Sequence, residues 1–159
     1  MKKVRVFLLL ATMAVATGCV KESYTITEAW LYNATADTIT IFAYIGGEVS
    51  GSDTIKIAPD DSFQFANSTL QQDLTAPYFK SPFIGDSADY LLVVFDSTAQ
   101  MAHYDVVVDS SIKYYPVTST RNLRNFGSYE FGMQDFEEKI HINYHRYTFT
   151  EQDYEDAKQ

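Results

Sequence analysis

The sequence predicts an all-β fold: an antiparallel β-sandwich, immunoglobulin-like in topology, with a short C-terminal helix. Three observations lead there. Segments of alternating β-branched and aromatic residues recur along the chain, and strict alternation puts one set of side chains on each face of a strand. Gly46-Gly47, Pro59-Asp60-Asp61 and Asp96-Ser97-Thr98 break the pattern at short intervals, as tight turns do. A helix start is visible only near the end, at Thr150. Seven or eight short strands followed by one helix read as two packed sheets.

In chain order, Tyr24 to Tyr32 alternates in part, with Ile26, Trp30 and Tyr32 on one parity, and Asn33 to Asp37 is a polar break. Thr38 to Ile45 puts Ile39, Ile41, Ala43 and Ile45 on one side and stops at Gly46-Gly47. Asp53 to Ala58 and Ser62 to Ala66 are shorter strands, and residues 67–89 are irregular, with Pro77, Pro82 and Gly85 as breakers. Tyr90 to Phe95 is apolar on both parities, the mark of a central strand covered on both faces. Gln100 to Val108 returns beside it, Ser111 to Tyr115 adds a short strand, and Thr118 to Gly132 reads as a long polar loop. Lys139 to Phe149 is the last strand, with Ile140, Ile142 and Tyr144 on one face. Thr150 can then accept from the N–H three residues on, and the acidic residues after it suit the positive end of a helix dipole.

The N-terminus is a different kind of segment. Lys2, Lys3 and Arg5 precede an apolar run of eleven residues, Val6 to Ala16. A helical span needs about 20 apolar residues, so this run is too short to cross and has instead the form of a secretory signal. It ends in Ala16-Thr17-Gly18-Cys19, and Cys19 is the sole cysteine of the chain. This stretch resembles a bacterial lipoprotein lipobox, with Ala16 where that pattern prefers Leu. The resemblance implies cleavage before Cys19, diacylglycerol on its thiol and an acyl chain such as palmitate on its freed amine. About two chains suffice for firm attachment. The expected organisation is therefore a signal peptide over residues 1–18, lipid attachment and tether over 19–23, and one sandwich domain over 24–159.

Val20 in place of Asp argues against inner-membrane retention under lipoprotein sorting rules, and Lys21-Glu22 looks like a fragment of a surface-export signal. Together with Tyr32-Asn33-Ala34-Thr35, Ile57 to Ser62, Tyr90 to Asp96 and Tyr147 to Tyr154, these features resemble small Bacteroidetes-type surface lipoproteins. The resemblance implies an outer-membrane address, periplasmic or surface-facing. It implies no activity, because that group has no established common one. It also makes Thr38, Thr54, Ser87 and Ser97, each after an Asp, candidate O-glycosylation sites.

Charge narrows the partners. Residues 1–18 hold three of the twelve Lys and Arg and no acidic residue, so the remaining 141 residues carry nine basic against 21 acidic side chains, a formal −12. Nucleic acid is excluded, since its affinity comes from Lys and Arg on phosphates. So is lying flat on an anionic membrane, which needs a basic face.

The candidate chemistries are few. His141 and His145 would converge on a metal from a helix, but four apart on a strand they stand about 13 Å from each other, so they read as a solvent-facing pair and no metal or other cofactor is expected. His103, Asp105 and Ser110 supply the letters of a hydrolase without a nucleophile elbow. No catalytic residue is expected. Trp30 reads as core. Arg121 and Arg124 are suited to gripping a carboxylate or phosphate, and the simpler expectation is salt bridges to this chain's own acids.

The functional expectation is a non-enzymatic, membrane-anchored binding or interaction module of the cell envelope, taking a glycan or a protein. The alternative is a small envelope enzyme acting on glycans through Asp and Glu. Two carboxylates about 5–10 Å apart in a cleft would mark the enzyme, and a flat row of exposed tyrosines would mark binding. A structural subunit, joined through a swapped or added strand, is a third reading.

Overall fold

Two sheets face each other across a shared apolar core, as the alternation predicts. The computed structural model describes residues 24–50, 54–71, 88–104, 112–137 and 140–158, with 66–71 and 136–137 described by their backbone alone. Cys19, the expected signal peptide and tether, and Ser87, Asp105 and Ser110 lie outside the described residues.

The strands are β1 (Tyr24–Asn33), β2 (Ile39–Ile45), β3 (Glu48–Val49), β4 (Ile55–Ile57), β5 (Ser62–Gln71), β6 (Tyr90–Phe95), β7 (Ala99–Tyr104), β8 (Tyr114–Tyr115), β9 (Glu130–Glu137) and β10 (Ile140–Phe149), followed by helix α1 (Glu151–Lys158). The first sheet runs β5-β1-β10-β9. The second runs β3-β2-β6-β7-β8, with β4 also on β2. Alternating residues fill the space between them: Leu31, Tyr147 and Phe149 from the first sheet meet Ile39, Ile41, Leu91, Val93, Phe95 and Met101 from the second. The central position expected of β6 holds, for it lies between β2 and β7 and buries Leu92 as well as Leu91 and Val93.

The pairing departs from the antiparallel expectation at two ladders. β1 and β10 run parallel from Tyr24↔Ile140 to Asn33↔Phe149, and β7 and β8 are parallel through Ala102↔Tyr114. Alternation fixes which face is buried and is the same for either strand direction, so the sequence pattern could not tell them apart.

The polar loop expected over Thr118 to Gly132 is half right. Its end is the start of β9, which pairs with β10. The rest is a run of tight turns in which every third amide bonds back: Ser119 to Pro116, Asn122 to Ser119, Asn125 to Asn122 and Ser128 to Asn125. The run buries Leu123 completely in the core.

Tight turns carry positive φ at Gly46 (62°) and Gly47 (82°) between β2 and β3, and at Asp96 (44°) and Ser97 (66°) between β6 and β7. At Gly46-Gly47 the paired positive φ values match the twist of a two-residue hairpin, and the three-residue β6–β7 connection is closed by Thr98 N donating to the Phe95 carbonyl at 3.1 Å. The α1 start reverses the expected cap: the Thr150 hydroxyl and N–H both donate to Asp153 Oδ2, at 3.0 and 2.8 Å. The carboxylate thus serves as the reaching-back half of a capping box.

Candidate binding groove on an outer face

In β1 the buried parity (Thr27, Ala29, Leu31, Asn33) faces the core, so Ile26, Glu28, Trp30 and Tyr32 stand on the opposite face. The parallel register lays Ile142, Tyr144 and Arg146 of β10 beside them. With Ser62 of β5 and Gln134 of β9, the residues Glu28, Trp30, Tyr32, Ile142, Tyr144 and Arg146 line a groove of about 310 Å³ across all four strands of the first sheet. That volume lies at the small end of ligand sites, which span about 300–1,000 Å³. Trp30 is therefore on an outer, partly exposed face and outside the core cluster, a correction to the reading from sequence. Its parity is that of Ile26, an apolar neighbour on the same face, which made the two faces of β1 hard to tell apart.

The groove's floor depends on a glycine. Gly132 pairs with Tyr144 across the β9–β10 ladder, and a Cβ at Gly132 would overlap the phenol, lying 2.6 Å from Tyr144 Cε1. The missing side chain lets the Tyr144 ring lie over the neighbouring strand, as aromatic rings do over cross-strand glycines. Around it are planar polar groups. Glu28 Oε2 accepts from Trp30 Nε1 at 3.1 Å. Arg146 Nη2 donates to Glu130 Oε2 at 2.8 Å, and this bond raises the Arg146 pKa.

A row of tyrosines also exists, on the outer face of the second sheet. Tyr44 and Tyr90 stack at 4.5 Å, Tyr90 and Tyr104 at 4.8 Å, and Tyr114 meets Tyr104 edge-on at 5.7 Å. In this row the ring faces pack on one another, as cross-strand aromatic pairs do. In the groove, Tyr144 has backbone beneath it.

The remaining candidates take other roles. His141 and His145 do sit on a strand, but only His141 faces solvent, bonding Asp135 Oδ1 at 2.6 Å. His145 is buried between the rings of Phe126 and Phe131, at 5.0 and 5.2 Å. Both have core parity, and the turn run that brings in Phe126 covers His145. His103 is buried on the core side of β7, where its Nδ1 accepts from Leu123 N at 3.0 Å. Burial and the nearby Arg121 charge lower its pKa to about 3, so it is neutral.

Arg121 pairs with Asp153 and donates from Nη2 to the Thr148 carbonyl, the self-pairing expected of it. Arg124 donates to the Ala88 carbonyl. Thr38, Thr54 and Ser97 are exposed. Among the described residues no group of three or more His, Cys, Asp and Glu is gathered to hold a metal ion, and no helix is long and apolar enough to cross a membrane.

Sequence reading missed Gly132, Tyr144 and Arg146 as neighbours of Glu28. The signal was the shared parity of Ile142, Tyr144 and Arg146, which had no meaning until β10 was known to lie beside β1. No family model, curated protein or solved structure matches the chain.

Proposed function

We propose that the chain is an outer-membrane lipoprotein, held by lipid on Cys19, whose sandwich acts by binding and not by catalysis. The groove on the first sheet is its contact surface. The observation that carries this reading is the grouping of Trp30, Tyr32 and Tyr144 with Glu28, Gln134 and Arg146 in one open groove. Apolar walls with a few placed polar groups are what small-ligand sites consist of. Glu28 is the one carboxylate among the groove's described lining residues, whereas acid–base cleavage of a glycoside uses two. Lipid attachment rests on the basic–apolar–small pattern ending at Cys19, and the outer-membrane address on the residues that follow it.

Fractionation and protease shaving of intact cells test the anchor and its side of the membrane. Wild type is expected in the outer-membrane fraction, and Cys19→Ala is expected to leave it. Digestion on intact cells would place the groove on the exterior, and protection until lysis would place it in the periplasm. Membrane retention of Cys19→Ala as firm as that of wild type would overturn the anchor.

A further inference from the structure

We infer that the groove takes a neutral saccharide, one sugar ring lying face-down on Tyr144 with its hydroxyls held by the planar groups around it. The inference rests on the binding reading above and names the ligand class for the same groove.

The floor of the groove is shaped for a flat ring. Gly132 leaves no Cβ beneath Tyr144, so the ring lies against backbone on one side and borders the groove on the other. A pyranose ring has C–H faces that are apolar and a rim of hydroxyls that is polar, so it stacks flat on such a surface. The tyrosines of the second sheet serve as the internal comparison. Tyr44, Tyr90 and Tyr104 stack face to face at 4.5 and 4.8 Å, which closes the ring faces between them to any ligand.

The charges of the groove select against ions. Glu28 lines the groove and disfavours an anion there, and Arg146 lines it too and disfavours a cation. Glu130 already balances the charge of Arg146 through a bond of 2.8 Å, which weakens its pull on an anion. What remains is a ligand that needs donors and acceptors of both kinds without a net charge. Carboxylate, carboxamide and guanidinium each present two polar atoms in one plane, which suits adjacent hydroxyls. Glu28, Gln134 and Arg146 supply one of each around the ring.

Trp30 is the only tryptophan of the chain and lines the groove, so its fluorescence reports on this site alone. The full chain, in a detergent without a sugar headgroup, is titrated with neutral oligosaccharides (glucose, mannose and N-acetylglucosamine oligomers), with oligogalacturonate, with chitosan oligomers and with mixed peptides. The expected result is a saturable change in Trp30 emission with a neutral oligosaccharide. Tyr144→Ala should weaken it at least tenfold, Tyr144→Phe should keep it within about twofold, and Tyr104→Ala on the other sheet should leave it unchanged. Near-ultraviolet circular dichroism checks that each variant is folded. A response confined to charged oligosaccharides or peptides overturns the neutral-saccharide assignment and leaves a binding groove in place. No response to any class overturns both.

Discussion

Asp153 holds Arg121 by a two-point contact, its Oδ1 accepting from Nε at 2.8 Å and its Oδ2 from Nη2. Asp153 is 2% exposed and sits in the first turn of α1, while Arg121 belongs to the turn run between β8 and β9. Burial opposes the charge on Arg121 and is the largest single influence, but the bond to Asp153 together with the charge interactions with Tyr147, Asp153 and Tyr115 outweighs it, so its pKa is raised. One ion pair thus fastens the terminal helix to the loop that plugs the core.

Arg121→Ala should therefore destabilise the fold. Removing one partner of a buried pair costs about 3–5 kcal/mol. The Arg121 side chain is 32% exposed, and Asp153 would keep its bonds from Thr150 and Tyr115, so about 2–3 kcal/mol is expected. Arg121→Lys keeps the charge without the fork and should cost roughly half as much. Urea denaturation of the three proteins measures both, and equal stability of Arg121→Ala and wild type would contradict the pair's role.

The buried histidines set an acid limit. The folded-state pKa of His103 is about 3, below the ordinary 6.5, and burial lowers that of His145 as well. The unfolded chain therefore binds protons before the folded one does. The stability His103 contributes is whole above about pH 6.5 and declines as pH falls toward 3, by about 1.4 kcal/mol per pH unit, and His145 adds a loss in the same direction. Melting temperature should drop between pH 7 and pH 4, and His103→Gln should reduce the slope. A flat profile over that range would refute the assignment. Asp156, held below its usual range first by the Tyr115 hydroxyl and then by Gln152, adds its own loss only at lower pH.

Gly132 and Tyr144 should behave as one unit. Gly132→Ala forces the phenol off the sheet, and overpacking of this kind costs about 1–3 kcal/mol. In Gly132→Ala, Tyr144→Ala the clash is gone, so the two substitutions should be non-additive by about 1 kcal/mol or more. Stability then returns in the double variant, but the Trp30 response to ligand does not.

Asn122 should be the most sensitive polar residue of the plug. It is fully buried, donates from Nδ2 to the Tyr104 and Tyr115 carbonyls at 2.8 Å each, and accepts from Arg124 N at 2.8 Å. Asn122→Ala leaves the ends of β7 and β8 without this bridge and should cost about 2–4 kcal/mol, given about 1–3 for each buried group left unsatisfied. Hydrogen exchange at residues 119–129 should quicken with it.

The sequence was most legible where burial is one-sided and regular. Thr38 to Ile45 contains β2, and Tyr90 to Phe95 matches β6 at both ends, because apolar content and parity both follow from contact with the core. β9 was missed because its parity alternates Phe131 and Met133 with Gly132 and Gln134 at an exposed edge, where glycine reads as a breaker. The groove was illegible for a different reason. Its residues come from four strands, and their grouping depends on β1 lying beside β10, a contact between positions more than a hundred residues apart. Asn122 and Leu123 looked like loop residues because the bonds that bury them reach β7 and β8.

The place of β1 in its sheet has a mechanical consequence. β1 is flanked by β5 on one side and β10 on the other, and it carries Glu28, Trp30 and Tyr32 of the groove. Under the proposed lipid attachment at Cys19, a pull on bound ligand would travel along this strand toward the membrane. Inter-strand hydrogen bonds lie across the strand direction, so such a load shears two ladders at once and cannot open either one bond by bond. The strand that holds the ligand is then also the one best placed to resist drag.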